Sequence, residues 1–280
     1  MSRLLSAGFM RLWKSRVFWT LVAGMFLWSL FMVYGNHMEC IAKGETDDTL
    51  KNFFFGYGVI IGGAVSIFAS LFFGTDYSDG TIRNKIIIGH SRKSIYMSNL
   101  IISVAAGVVM TAAWILAMLA VGVPVCGWNG FDAVQVLVYL FMSFFMIVAF
   151  AAVFTAFSML LSNRSVAVIV SFLVFLFFLW CGAYIYSRLR EPEVEPIYTM
   201  VTKDGVEKIT DASYIENPTY VRGTQREVYT RVLEFMPTGQ ALFLMQNEVT
   251  DVSFMIFSSL VITVAVTLGG IVCFGRKDLL

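Results

Sequence analysis

Residues 133–187 read AVQVLVYLFMSFFMIVAFAAVFTAFSMLLSNRSVAVIVSFLVFLFFLWCGAYIYS, and only Arg164 among them is charged. A helix needs about 20 apolar residues to cross the hydrocarbon core of a bilayer. Each half of the stretch, 133–163 and 165–187, is therefore long enough for one crossing, with the chain turning at Arg164. Four further runs, 17–38, 52–75, 94–131 and 252–275, also lack Asp, Glu, Lys and Arg. None is comfortably long enough for two crossings. The chain of 280 residues is 58% hydrophobic and 14% charged, with a mean hydropathy of +0.76. A soluble domain carries about 25% charged residues. The net charge of +1 and the lack of a basic, aromatic-interleaved patch give no sign of nucleic-acid binding. The expectation is an all-α integral membrane protein, one domain over 1–280, with spans near 17–36, 53–74, 99–123, 133–160, 165–187 and 252–274.

The first run follows Arg3, Arg11, Lys14 and Arg16, but it exceeds the roughly 7–15 residues of a signal-peptide core, and no small-residue cleavage site follows it. It reads as an uncleaved span. Lys and Arg concentrate in alternate segments: four in 1–16, four in 75–98, one in 161–165 and two in 275–280, against two in 35–52 and none in 124–132. The long segment 187–252 counts little in the positive-inside rule. It is acidic overall, with eleven Asp and Glu against seven Lys and Arg. This pattern places both termini in the cytoplasm. Leu5, Phe9, Leu12, Trp13 and Arg16 fall at helical spacing, which predicts an amphipathic helix over 1–16 lying at the membrane interface.

No span carries a confident mid-membrane charge of the kind ion-coupled carriers keep inside the bundle. The chain has no G-x-x-x-x-G-K-[ST] phosphate loop and no H-E-x-x-H, G-x-S-x-G or C-x-x-C motif. No catalytic residue, metal site or cofactor is expected on it. Asn36-His37-Met38-Glu39-Cys40 gathers potential metal ligands at the outer end of the first span, without a second cluster to complete a site. Cys40, Cys126 and Cys181 fall at or near outer span ends, and a Cys40–Cys126 disulfide is topologically allowed but not specified by the sequence.

Segment 75–98 reads TDYSDGTIRNKIIIGHSRKSIYMS. Asp79 is placed to cap a short helix through Thr81–Ile88, with Gly89 as its left-handed stop and Ser91 capping the next helix. Ile82 and Ile86 share one face at i, i+4, and Arg83 and Lys85 point elsewhere. The result is a two-turn helix with an apolar ridge and basic flanks, a shape suited to a groove on a soluble protein. Here the chain resembles the membrane subunits of type 2 ATP-binding-cassette exporters. That family carries an acidic-x-x-x-Gly-Thr-Ile/Leu-Arg segment after span 2 and a Ser-Arg pair opening the next helix. Asp76-x-x-x-Gly80-Thr81-Ile82-Arg83 and Ser91-Arg92 match as they stand. The basic N-terminal segment, the six spans and the tail FGRKDLL (274–280) extend the resemblance over nearly the whole chain.

The resemblance implies that 79–89 is a coupling helix seated in a separate ATPase subunit, which would hold ATP and Mg. Asp79, Gly80, Thr81, Ile82, Arg83, Lys85 and Ile86 would form the coupling element, Arg83 and Lys85 meeting acidic partners. A second permease copy or a related permease would complete the transporter. Gly58-x-x-x-Gly62 lets helix backbones approach closely, either within the bundle or across a dimer. Phe175 and Phe178, in an aromatic-rich fifth span, are candidates for the conduit of an apolar or amphipathic cargo, against the plainer role of lipid-facing bulk. The segment 188–251 is expected to fold as a small α+β cap. In it Lys203-Asp204-Gly205 turns a hairpin, Val228, Val232, Phe235 and Met236 mark an amphipathic helix, and a Pro237-x-x-Gln240 turn follows. The function read here is an exporter permease in the cell membrane. The rival is a non-transporting scaffold or sensor whose outer segment binds a ligand.

Overall fold

The computed structural model describes residues 1–43, 50–128, 132–203 and 206–277. Eleven helices and a hairpin follow in order: α1 (Ser2–Lys14), α2 (Arg16–Lys43), α3 (Tyr57–Ser78), α4 (Thr81–Ile87), α5 (Arg92–Ala117), α6 (Val123–Cys126), α7 (Ala133–Leu160), α8 (Arg164–Arg190), β1 (Val194–Lys203), β2 (Val206–Glu216), α9 (Gly223–Phe235), α10 (Pro237–Met245) and α11 (Val252–Arg276). A π-turn over Met118–Gly122 joins α5 to α6, so the two form one continuous span. Six helices are long and apolar enough to cross a membrane: α2, α3, α5 with α6, α7, α8 and α11.

α3 is the axis of the bundle. Fifteen of its 22 residues are buried, against five of the 27 in α8. Small residues on α3 let its neighbours close in. A Cβ on Gly62 would lie 2.6 Å from the Phe175 ring of α8, and one on Gly58 would lie 3.4 Å from the Ala241 backbone of α10. The Gly58–Gly62 stripe is thus occupied by packing within the chain. Hydroxyls tie the charge-free spans together. Ser70 Oγ lies 3.1 Å from both the Ala167 carbonyl, to which it can donate, and Ser171 Oγ of α8, Tyr57 donates to Ser143 of α7 at 2.7 Å, and Thr155 donates to Ser103 at 2.8 Å. Such bonds are favoured between spans because hydrocarbon offers a hydroxyl no other partner.

Between α8 and α11, α9 and α10 fold against the end of the bundle opposite α1 and α4. β1 and β2 pair antiparallel, with a register shift between Thr199 and Met200. The Asp204-Gly205 turn expected between them lies outside the described residues. Pro237 starts α10 without loss, because the first turn of a helix needs no N–H there. Gln240 is fully buried. Its amide nitrogen faces the carbonyls of Glu234 and Met255 and the Ser258 hydroxyl at 2.8–3.0 Å, and its oxygen accepts from Ser259. This one side chain fastens α9, α10 and α11. Asn247 ends α10 in the left-handed region (φ 56°) and donates to the Lys51 carbonyl at 2.6 Å, tying the segment after α10 to the segment before α3.

The apolar stripe of α9 is not its buried face, although Phe235 and Met236 line a recess against α7, α8 and α11. Val228, Val232 and Phe235 are exposed, and the inner face is Leu233 with Glu234. Glu234 can be buried because Arg231 and Thr250 both donate to its carboxylate. Arg231 also bridges to Asp251, the cap of α11.

Two measurements test this layer. A Cβ on Gly239 would sit 2.8 Å from Leu233 Cα, so Gly239→Ala forces α9 and α10 apart. It is expected to cost about 1–3 kcal/mol in detergent-micelle unfolding. Gly24→Ala, with nothing within 4 Å of the new Cβ, is expected to change stability by no more than about 0.5 kcal/mol. The Phe254 amide, then Arg231, hold the Asp251 carboxyl below the usual carboxylate range. Its folded pKa is depressed, so its stabilisation is present above the unfolded value of about 3.9 and lost as pH falls through the folded value. Hydrogen-exchange protection in α9, corrected for the intrinsic rate at each pH, is expected to fall as the pH is lowered from about 5 to below 3.

Candidate functional site

α1 and the described end of α11 meet at the end of α3, where two consecutive residues hold five elements. Asp76 is 2% exposed. Its Oδ1 accepts from Arg11 of α1, and its Oδ2 accepts from Lys85 of α4 at 3.0 Å. A buried carboxylate is tolerated only with such compensation. Arg11 is itself fixed: it donates to the Phe72 carbonyl and to Thr75 Oγ1, and its guanidinium lies 4.1 Å from the centre of the Phe72 ring. Tyr77, the next residue, donates to the Met159 carbonyl at the end of α7. Lys277 then donates to both Tyr77 Oη and the Met159 carbonyl at 3.1 Å. Burial pushes the Lys277 ammonium down to about 8. Arg92, opening α5, donates to the carbonyls of Phe274 and Gly275 at 3.1 Å and so caps α11.

α1 packs on this end through Leu4 and Leu12, both buried, with Gly8 against Ile102 of α5. Trp13, expected on the apolar face of an interfacial helix, is 55% exposed and points away from the bundle. The inner face runs through Leu4, Gly8, Arg11 and Leu12 because Arg11 must reach Asp76. Ser15 takes an extended conformation, breaks α1 from α2, and accepts from the Phe18 amide with its hydroxyl.

α4 differs from the sequence expectation in three ways. Asp79 follows α3 and accepts from Ser78, and the cap position is Gly80, held in the left-handed region at φ 65°. A side chain with a Cβ pays for that conformation, so glycine is the residue that turns α3 into α4. Ile82 is 2% exposed and packs into the chain's own core with Ile86 against it. The apolar ridge therefore faces inward. Lys85 also faces inward, onto Asp76. What α4 presents outward is Arg83, with Ile87 and Ile88 at 74% and 76% exposure. The helix ends as expected. Gly89 is left-handed (φ 95°), its amide donates to Ile86 and the His90 amide to Lys85, and Ser91 caps α5 by accepting from Ser94 N.

A second feature lies on the far side of the bundle. An apolar recess of about 240 Å³ opens between α7, α8 and α11 under the α9–α10 junction. Phe150, Phe154, Phe175, Phe178, Phe235 and Ile262 line it. Phe175 is buried in the notch beside Gly62 and Gly63, and Phe178 is 45% exposed at the recess.

The family model for the ABC-2 type transporter membrane region matches residues 2–197, from α1 through the start of β1. The chain belongs to the ABC-2 type transporter family. It is a multi-pass membrane permease, and chains of this family are generally not catalytic themselves. The match includes α1, α3, α4 and the start of α5, so the Asp76 anchor falls within it, whereas α9, α10 and α11 lie beyond it. No curated protein and no solved structure matches the chain.

The sequence pointed to Asp76 only as the acidic member of a motif. Its role as the anchor of α1 was missed because its partner Arg11 lies 65 residues away. Asp76→Asn is expected to lower stability by about 1–3 kcal/mol, since Arg11 and Lys85 lose their counter-charge and one of them meets an amide NH2 in place of an acceptor oxygen. Thermal unfolding of the full chain in detergent, with Asp76→Glu as the charge-preserving comparison, measures it.

Proposed function

We propose that this ABC-2 permease is the membrane subunit of an ATP-driven exporter, with both termini in the cytoplasm. In this reading α4 is the coupling helix and α1 the interfacial elbow. A separate ATPase subunit binds ATP and Mg, and a second permease, identical or related, completes the conduit. Closure of the ATPase moves α4, and the Asp76 anchor passes that movement to α1 and α3. The absence of a phosphate loop in the chain supports an energy source on another polypeptide. The observation that carries the reading is the exposed Ile87–Ile88 pair beside Arg83, projecting from a helix whose opposite face is locked into the bundle. Burying two such side chains on a partner stabilises a complex by a few kcal/mol. Arg83 remains the candidate for an acidic group on the ATPase, whereas Lys85 is already engaged. The apolar recess at Phe175 and Phe178 supports an apolar or amphipathic cargo that leaves outward past the α9–α10 layer.

Ile87→Glu with Ile88→Glu tests the docking role. The double variant is expected to insert and fold normally, yet to retain roughly tenfold less co-expressed ATPase on purification and to lose ATP-dependent transport. Ile82→Glu is expected instead to reduce the yield of folded permease, because it places a charge in the core. Normal ATPase retention by the double variant contradicts the assignment of this face.

A further inference from the structure

A recess of about 160 Å³ lies between α1, α3, α4 and α5, at the end of the bundle that carries both termini. One wall is apolar, with Leu4 and Ile102. The other presents Arg11, Lys85, Ser98 and Asn99. The charges at this wall do not cancel: Arg11 and Lys85 share the single carboxylate of Asp76, one on each oxygen. Lys85 carries three ammonium hydrogens, and Asp76 is its one salt-bridge or hydrogen-bond partner among the described residues. Arg11 and Lys85 are 35% and 24% exposed, so both remain reachable from the recess.

We propose that this recess binds a phosphate group, with Lys85 and Arg11 as its cationic partners. A net positive, half-apolar recess at the membrane end of a bundle suits an oxyanion carried on an apolar body, and basic pockets between spans take phospholipid head groups. The position agrees, since α1 is an amphipathic helix with Arg3, Arg11 and Lys14, which belongs at headgroup depth. The phosphate comes either from an anionic phospholipid or from free phosphate. An occupant would bridge α1 to α4 beside Asp76 and hold α4 in place. The proposal concerns this chain alone and stands apart from the docking of an ATPase.

The test uses the full chain, stripped of lipid in neutral detergent. Phosphatidylglycerol, diacylglycerol with the same acyl chains, and inorganic phosphate are added separately. Phosphatidylglycerol is expected to raise the apparent unfolding temperature by about 3 °C, while diacylglycerol leaves it unchanged. Native mass measurement is expected to show one retained phospholipid per chain. If inorganic phosphate alone gives the full shift, the site is a phosphate site filled from solution. If it gives little, the lipid is the source. Lys85→Gln is expected to abolish the shift and Lys85→Arg to keep it. Ala7→Phe fills the recess without touching an ion pair, and it is expected to abolish the shift as well. Equal stabilisation by diacylglycerol, or a phosphatidylglycerol effect that survives both Lys85→Gln and Ala7→Phe, overturns the proposal.

Discussion

The buried carboxylate of Asp76 sets the arrangement of everything at its end of the molecule. A carboxylate that is 2% exposed cannot stand alone, and it draws Arg11 and Lys85 from helices on either side. Arg11 then fixes the roll of α1, turning Leu4 and Leu12 inward and leaving Trp13 outside. Lys85 fixes the roll of α4, turning Ile82 inward and leaving Ile87 and Ile88 outside. Tyr77 and Lys277 extend the same anchorage to the ends of α7 and α11. The middles of the spans carry no such charges, and their packing rests on close approach at Gly62 and on hydroxyl bonds.

This division gives the molecule one polar, strongly positioned end and a soft apolar middle. A force applied to α4 meets an ion-paired junction with α1 and α3 rather than a flexible loop. The left-handed glycines at 80 and 89 bound α4 on both sides. At the other end, Gln240 and Asn247 tie α9 and α10 to the bundle. The apolar recess beneath them lies between two fastened layers.

Much of the fold could be read from the order of residues. Charge-free runs mark the spans because a charge at the bilayer centre is costly whatever its neighbours. The first span runs on to Lys43, beyond the expected end near residue 36, since nothing in Asn36–Cys40 breaks a helix. Gly89 and Ser91 were legible because caps depend on local backbone geometry. Asp79 was misread because a carboxylate before a helix is the usual cap, whereas here the tight turn needs Gly80. The orientation of α4 and α9 was not legible. Periodicity shows that Ile82 and Ile86 share a face, but not whether that face meets a partner or the chain's own core. In α9 the same rule marks Val228 and Val232 as one apolar face, but the buried face is that of Leu233 and Glu234, whose carboxylate is paired with Arg231 and Thr250. In both helices a polar contact that periodicity does not register accompanies the rotation.

The orientation of α4 is the central claim, and cysteine accessibility tests it most directly. In a chain whose native cysteines are replaced, Ile82→Cys, Ile87→Cys and Ile88→Cys are each exposed to a membrane-impermeant maleimide in inside-out vesicles, with and without the co-expressed ATPase. The account predicts fast labelling at 87 and 88, slow labelling at 82, and protection of 87 and 88 when the ATPase is present. Labelling at 82 as fast as at 88, or no protection at 87 and 88, would contradict it.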